Sequence, residues 1–415
     1  MPNAGAANAT TVHDAHRHVL LLDTHWDEDA AQRAVERIAA DTLAAFRGHA
    51  LWPVHPVDRS LDRPADCLKP LFNGAGGVFW ALRRLRAQGA GVAALDDVPF
   101  IAQLPARQHE DDASLGHPTN PAFAVGAAGL QLLAWMDEPD ADRAAALEDA
   151  IDSCAARAEL GFALGAAGGL LAASFAYARS GGERWRTSIL RIADALWLQW
   201  TDVPALGGHH WLQNLYGHSA RQLGALHGLA GITFALARAF SCTGDARLHE
   251  LAARTRRVLL GTARRDGVHA NWPLAVGNTT HPSPDVLWLQ HCIGAPGVIS
   301  CAAWVPAGDD PAFDALLLGA GELVWHAGPT SKLPSLCHGA PGSGYAFLAL
   351  FRRTGDERWL ERARRFGMHA IEHADRAARE HGQRKYSLWT GDLGLALYLQ
   401  DCVGGVARLP LLDVF

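Results

Sequence analysis

The 415-residue chain predicts an all-α fold in which about seven inner helices close a ring inside seven outer helices. Three observations carry that prediction. A G-x-x-G motif recurs seven times, an apolar segment of helical length follows each copy directly, and the extended alternation that marks strands is nearly absent. The motifs begin at Gly74, Gly126, Gly165, Gly228, Gly294, Gly339 and Gly391; the shortest interval, Gly126 to Gly165, is 39 residues and the longest, Gly228 to Gly294, is 66. Each interval holds about two helices of ordinary length and their connections.

Taken in order, residues 1–70 supply a leader and an amphipathic helix around Ala30 to Phe46, the first outer helix. The inner helices then open as "GAGGVFWALRRL", "GAAGLQLLAWM", "GAAGGLLAASFAYA", "GLAGITFALARAF", "GAPGVISCAAWV", "GAPGSGYAFLALF" and "GDLGLALYLQDC". They are apolar nearly all round, as helices enclosed by other helices are. Glycines at their starts let the preceding loops crowd together at one end of the ring. Gly161 to Ala178 carries no charge over 18 residues, the lower bound for a membrane span. The same glycine pattern recurs six times elsewhere, so this stretch reads as a buried helix and no integral membrane segment is expected.

Outer helices are announced by "SGGERW" at Ser180, "TGDARL" at Thr243 and "TGDERW" at Thr354. The glycine suits the left-handed residue that ends one helix, and the Asp or Ser/Thr caps the next. After the last corner, Trp359, Ala363, Phe366 and Ala370 share one face, with Glu361, Arg362, Arg364 and Arg365 on the other. No linker of disordered composition divides the chain, so a single domain over 1–415 is expected, with the seven repeats in 71–415.

Hydrophobic residues make up 49% of the chain, including 14 Trp and 14 Phe, which excludes global disorder. The formal charge is −6 and the 37 cationic residues are scattered, which argues against a nucleic-acid partner. Seven cysteines at irregular spacing form no disulfide framework, and the apolar run Val19 to Leu22 is far too short for a signal peptide; a reducing, cytoplasmic location is the expectation.

Polar residues just ahead of each motif point into a shared mouth. Three such places stand out: "LHGLAG" with His227, "LQHCIGAPG" with His291 and Cys292, and "LCHGAPG" with Cys337 and His338. Two thiolates and one imidazole make a tetrahedral zinc set with one position open, the arrangement of a catalytic site. Sulfur ligands disfavour magnesium and calcium, while copper(I) shares the preference. Cys154, Cys242, Cys301 and Cys402 read as core, and His209, His210, His218 and His281 as solvated loop residues.

The runs "ALHGLAGI", "HCIGAPGVI" and "LCHGAPGSGYAFLALFRRTGDERWLERA" resemble the LanC-like (lanthionine synthetase C-like) proteins, in motif detail the eukaryotic branch most, over about Leu71 to Phe415. The resemblance implies an α/α toroid, Zn²⁺ on Cys292, Cys337 and His338, and a proton-exchanging histidine at His227. It also implies the chemistry: a thiol adds to dehydroalanine or dehydrobutyrine to give a thioether. The expected partners are therefore a dehydroamino-acid-containing peptide or protein and, as thiol donor, a peptide cysteine or glutathione.

Lys332, five residues before Cys337, and Arg384, ahead of the last motif, match places where the family has substrate-contacting cations. His291 stands where Trp is usual and becomes a pocket-wall candidate. Gly161 falls roughly where the cyclases carry an aspartate, and the nearest acid is Glu159. Two competing readings are a zinc-containing module that binds peptides or glutathione without turnover, and a carbohydrate-active α/α barrel. The latter needs a carboxylate pair, and Asp392 is the main acid at the mouth.

Overall fold

The computed structural model describes residues 12–59, 67–305 and 310–415. Among the described residues, fourteen α-helices alternate between two layers. The outer layer comprises α1 (Glu28–Ala44), α3 (Val98–Ser114), α5 (Ala141–Ala155), α7 (Glu183–Leu198), α9 (Ala246–Thr262), α11 (Pro311–Ala327) and α13 (Glu357–His381). The inner layer comprises α2 (Ala75–Ala87), α4 (Ala127–Asp137), α6 (Ala166–Ser180), α8 (Leu229–Thr243), α10 (Ala295–Ala302), α12 (Ala340–Thr354) and α14 (Asp392–Gly404). Each inner helix packs on the next, and α14 returns to α2, so the ring closes. The expected α/α toroid of seven inner and seven outer helices is the observed fold.

The motif works through close approach. The first glycine of every copy is the N-cap of an inner helix and offers no side chain to the free N–H groups. Carbonyls of the preceding loop accept instead, as in Ala75 N to Leu68 O (2.8 Å), Ala127 N to Asn120 O (2.8 Å) and Asp392 N to Lys385 O (2.9 Å). The loop is folded so tightly over the first turn that a Cβ on the second glycine would strike it: 1.9 Å from Leu71 O at Gly77, and 1.8 Å from His291 O at Gly297. Of the seven first glycines only Gly294, at φ +99, lies in the left-handed region.

The corners behave as read, with one refinement. Gly181, Gly244 and Gly355 end their helices at φ +64, +69 and +70. Asp245 and Asp356 accept from the N–H groups of Arg247 (2.9 Å) and Arg358 (3.0 Å), whereas Gly182 has no cap to offer and Ser180 Oγ takes the Gly182 N–H at 3.3 Å. Trp359, Ala363, Phe366 and Ala370 are all fully buried. No described helix is long and apolar enough to cross a membrane. Ala166 to Ala176 of α6 is instead enclosed by its neighbours.

What the sequence did not announce is three small antiparallel sheets between α7 and α10. β1 (Trp200–Val203) pairs with β2 (Gly208–Trp211), β3 (Gln213–Leu215) with β4 (His218–Gln222), β5 (Arg264–Asp266) with β6 (His269–Asn271), and β7 (Ala275–Val276) joins β4. Runs of two to five residues are too short for alternation to register. The solvated-loop expectation therefore fails for His210. It sits on β2, fully buried, with Nδ1 on the Trp211 carbonyl at 3.0 Å. His209 and His218 are also strand residues, partly exposed, and His281 lies in a loop. All seven cysteines are free; Cys154, Cys301 and Cys402 are core, while Cys242 is only half-buried.

Candidate metal centre

The loops entering the inner helices share one register. The residues two places before the motifs, Phe72, Ala124, Ala163, Leu226, Cys292, Cys337 and Trp389, are all buried. Their backbones link neighbouring loops: Cys292 N donates to Cys337 O (3.3 Å), Cys337 N to Trp389 O (3.0 Å), Trp389 N to Phe72 O (2.8 Å), Phe72 N to Ala124 O (2.8 Å), Ala124 N to Ala163 O (3.4 Å) and Ala163 N to Leu226 O (3.2 Å). One place later the chain faces the mouth. Asn73, Val125, His227, Ile293, His338 and Thr390 are partly exposed there, and only Leu164 is covered. Cys292 and Cys337 thus occupy equivalent buried positions of adjoining repeats, held side by side by a backbone hydrogen bond, and His338 occupies the open position next to Cys337.

The two sulfurs and one His338 ring nitrogen lie within 4.8 Å of one another, and Cys337 Sγ is 3.6 Å from His338 Nε2. The buried Gln290 donates its Nε2 to Cys292 Sγ at 3.0 Å. The hydrogen bond from Cys337, with the further help of His338 and Gln290, outweighs desolvation and holds the Cys292 thiol down, while the same contact and burial push Cys337 well up. Two buried sulfurs this close favour a cation that lets both ionise. Soft donors, three in number and open on the mouth side, fit zinc. The loop is braced from outside: Thr330 Oγ1 donates to His338 O (2.7 Å), and the segment around His18 runs antiparallel against Thr330, with Ser331 N on Arg17 O at 2.9 Å.

His227 lies in the open register of the fourth repeat. Burial pushes its imidazole down to about 4, opposed by the charge of Glu159, which is itself paired with Arg157 at 2.9 Å. Gly161 is pressed on the same backbone, where a Cβ would lie 2.4 Å from His227 Cα. An aspartate at this place would displace the histidine's own loop, which is the physical reason the position is glycine.

Two substrate-contact expectations meet a different geometry. Arg384 is buried among carboxylates, with Asp375 at 2.6 Å, Asp392 at 3.2 Å and Asp41 at 3.3 Å, so its charge is already matched. His291 is fully buried behind Cys292, edge-on to Trp389 at 5.1 Å, and burial takes it to about 3; it is not a wall residue. Lys332 is exposed on the loop after α11. Desolvation raises Asp392 to about 6 even though Arg384 holds it, so it offers no free carboxylate for sugar chemistry.

Three features escaped the sequence. Gln290 supports Cys292. Lys385, paired with Asp58 at 2.7 Å, lines a cavity of about 620 Å³ with Asn73, Val125 and Asp111. Tyr216, at the tip of the β3–β4 hairpin, sets its ring edge-on to His227 with centroids 6.1 Å apart. The only sequence signal for it is a Tyr-Gly pair between two short runs.

The family model described as lanthionine synthetase C-like protein matches residues 68–412. "Glutathione S-transferase LANCL1" of Danio rerio is 30% identical over 214 residues, 50% of this chain and 48% of that protein. "LanC-like protein GCL1" of Arabidopsis thaliana is 31% identical over 194 residues, 46% and 42% of the respective chains. The matched region thus spans less than half the length of either curated relative. Among solved structures, nisin cyclase superposes over 93% of this chain and 98% of its own with a TM-score of 0.60 at 15% identity, a likeness of fold. With a match that runs through all seven repeats and both cysteine-bearing loops, the chain belongs to the lanthionine synthetase C-like family.

Proposed function

We propose that this protein joins a thiol to the β-carbon of a dehydroalanine or dehydrobutyrine residue in a peptide or protein, with glutathione the favoured donor and a peptide cysteine the alternative. The observation that carries the reading is the convergence of Cys292, Cys337 and His338, open on one side, in a mouth that also holds a neutral His227. A zinc ion held by these three residues would supply a Lewis acid that lowers the pKa of an incoming thiol from about 8.5.

His227, neutral at pH 7, takes the thiol proton. The sulfur then bonds to the β-carbon, the C=C π pair moves onto the acceptor's carbonyl oxygen as an enolate, and His227 returns its proton to the α-carbon. A depressed imidazole pKa makes the protonated form a stronger acid, which suits that second transfer. Glutathione is favoured because Gly161 falls roughly where the cyclases carry an aspartate and Lys332 offers an exposed cation beside the metal loop. Seven free thiols support a reducing compartment such as the cytoplasm.

Incubating the zinc-loaded protein with a dehydroalanine peptide and glutathione, and weighing the product, tests the reading. A product heavier by one glutathione is expected, abolished in Cys337→Ser together with bound zinc. A mass equal to the enzyme-free control refutes it. The Gly161 substitution also favours a second reading, a module that binds without turnover; glutathione binding by calorimetry with no rate above background would establish that one.

A further inference from the structure

We infer that Tyr216 is a further catalytic residue of this site, its phenol donating a hydrogen bond to the acceptor's carbonyl oxygen as that oxygen takes up enolate charge. The inference rests on the proposed addition reaction. Its first support is backbone strain. Among the described residues, three other than glycine have left-handed φ: Leu51 (57), Leu411 (66) and Tyr216 (52). Leu51 and Leu411 are fully buried, so core packing accounts for them; Tyr216 is 77% exposed, and packing does not. It is followed by Gly217 at φ +78, giving a two-residue hairpin turn in which asparagine or glycine normally stands. A tyrosine that the turn disfavours and the core does not require is held there for another purpose.

The second support is where the hairpin aims it. Gln213 at the base of β3 is buried, donates Nε2 to His227 O at 2.5 Å and accepts Leu160 N at 3.0 Å, while Asn214 N reaches Ala158 O at 3.4 Å. The tip three residues on is therefore registered to the His227 backbone, and its ring stands at 83° to the imidazole. Desolvation, then the charges of Glu159 and Cys337, keep the phenol protonated. Tyr216 thus stands beside His227, on the loop its own hairpin is bonded to. In the reaction the phenol shares its proton with the developing oxyanion and keeps it, and the proton delivered to the α-carbon is the one His227 took from the thiol.

Tyr216→Phe and Tyr216→Asn in the full-length, zinc-loaded protein separate this role from a structural one. Tyr216→Phe is expected to lower kcat by about 100-fold, the loss typical of one oxyanion donor, with KM for glutathione and zinc content unchanged. Tyr216→Asn should be as impaired yet melt at or above the parent, since asparagine suits the turn. A Phe variant with parental kcat or with lost zinc overturns the assignment, as does an Asn variant that melts well below the parent. A parent protein without turnover defeats the proposed reaction and this assignment together; an active parent with an equally active Phe variant defeats this assignment alone.

Discussion

Gly297→Ala tests whether the repeat glycines hold the metal ligands in place. An ideal Cβ at Gly297 would lie 1.8 Å from His291 O and 2.8 Å from Ala225 Cβ. A carbon–oxygen contact settles at about 3.3 Å or more, so the first turn of α10 would have to retreat by about 1.5 Å. Overpacking of this kind costs about 1–3 kcal/mol, against the ~1 kcal/mol that alanine gains over glycine inside a helix; the steric side wins. The struck carbonyl belongs to the residue before Cys292, so the retreat also moves one sulfur away from the other. Ligand distances must hold to within about 0.2 Å, and zinc affinity should fall at least ~10-fold, as when an outer-shell support is lost. Gly404→Ala is the control: its Cβ would meet Val406 Cγ2 at an ordinary 3.5 Å, and stability should stay level or rise slightly. Urea unfolding with and without zinc, and zinc competition with a chelator, read both quantities. A Gly297→Ala protein as stable as its parent and with unchanged zinc affinity would refute the reasoning.

Arg384→Met should destabilise the fold by about 3–5 kcal/mol by leaving Asp392 buried and unpaired, with KM for glutathione unaltered; normal stability with a raised KM would return Arg384 to the substrate. His210 is fully buried and held at about 4 by desolvation, below the ordinary 6.5. The folded state binds fewer protons there, so its contribution is present above pH 6.5 and is lost as pH falls toward 4, about 3 kcal/mol in all; urea midpoints of His210→Leu should fall less between pH 7 and 5, and parallel curves would contradict this. Gly161→Asp should melt earlier and gain no ring-closing activity on a dehydrated peptide containing cysteine, because its Cβ meets His227 Cα at 2.4 Å. A stable variant that closes rings would show the loop yields.

The ring was legible because the G-x-x-G spacing repeats seven times and because each repeat's second helix keeps one apolar face, as Trp359, Ala363, Phe366 and Ala370 do. The trio of Cys292, Cys337 and His338 was legible for the same reason, being equivalent places in successive repeats, and the structure brings it together. The ion pairs of Arg384 were not legible because its partners are not local: Asp41 comes from α1, at the other end of the chain, and Asp375 from the outer helix before it. His210 and Tyr216 were missed because they belong to the hairpins between α7 and α8, which break the repeat and whose strands are too short to show a period.

Shared register also explains why the chemistry sits where it does. Every loop offers a buried place followed by an open one, so a pair of soft ligands can meet only where two adjoining loops both carry cysteine in the buried place, and among the seven that occurs once, at Cys292 and Cys337. The flanking buried places are Leu226 and Trp389, both apolar, and the open places supply His338 and His227. The ring thereby separates two demands that conflict in one pocket: thiolates held in a dry wall, and imidazoles close enough to solvent to exchange protons. A one-residue slip that carried either sulfur to the mouth would bring the residue before it into the wall, His291 in one loop and Leu336 in the other, and so part the two sulfurs, which is why the glycine contacts that pin each loop to its helix are part of the site.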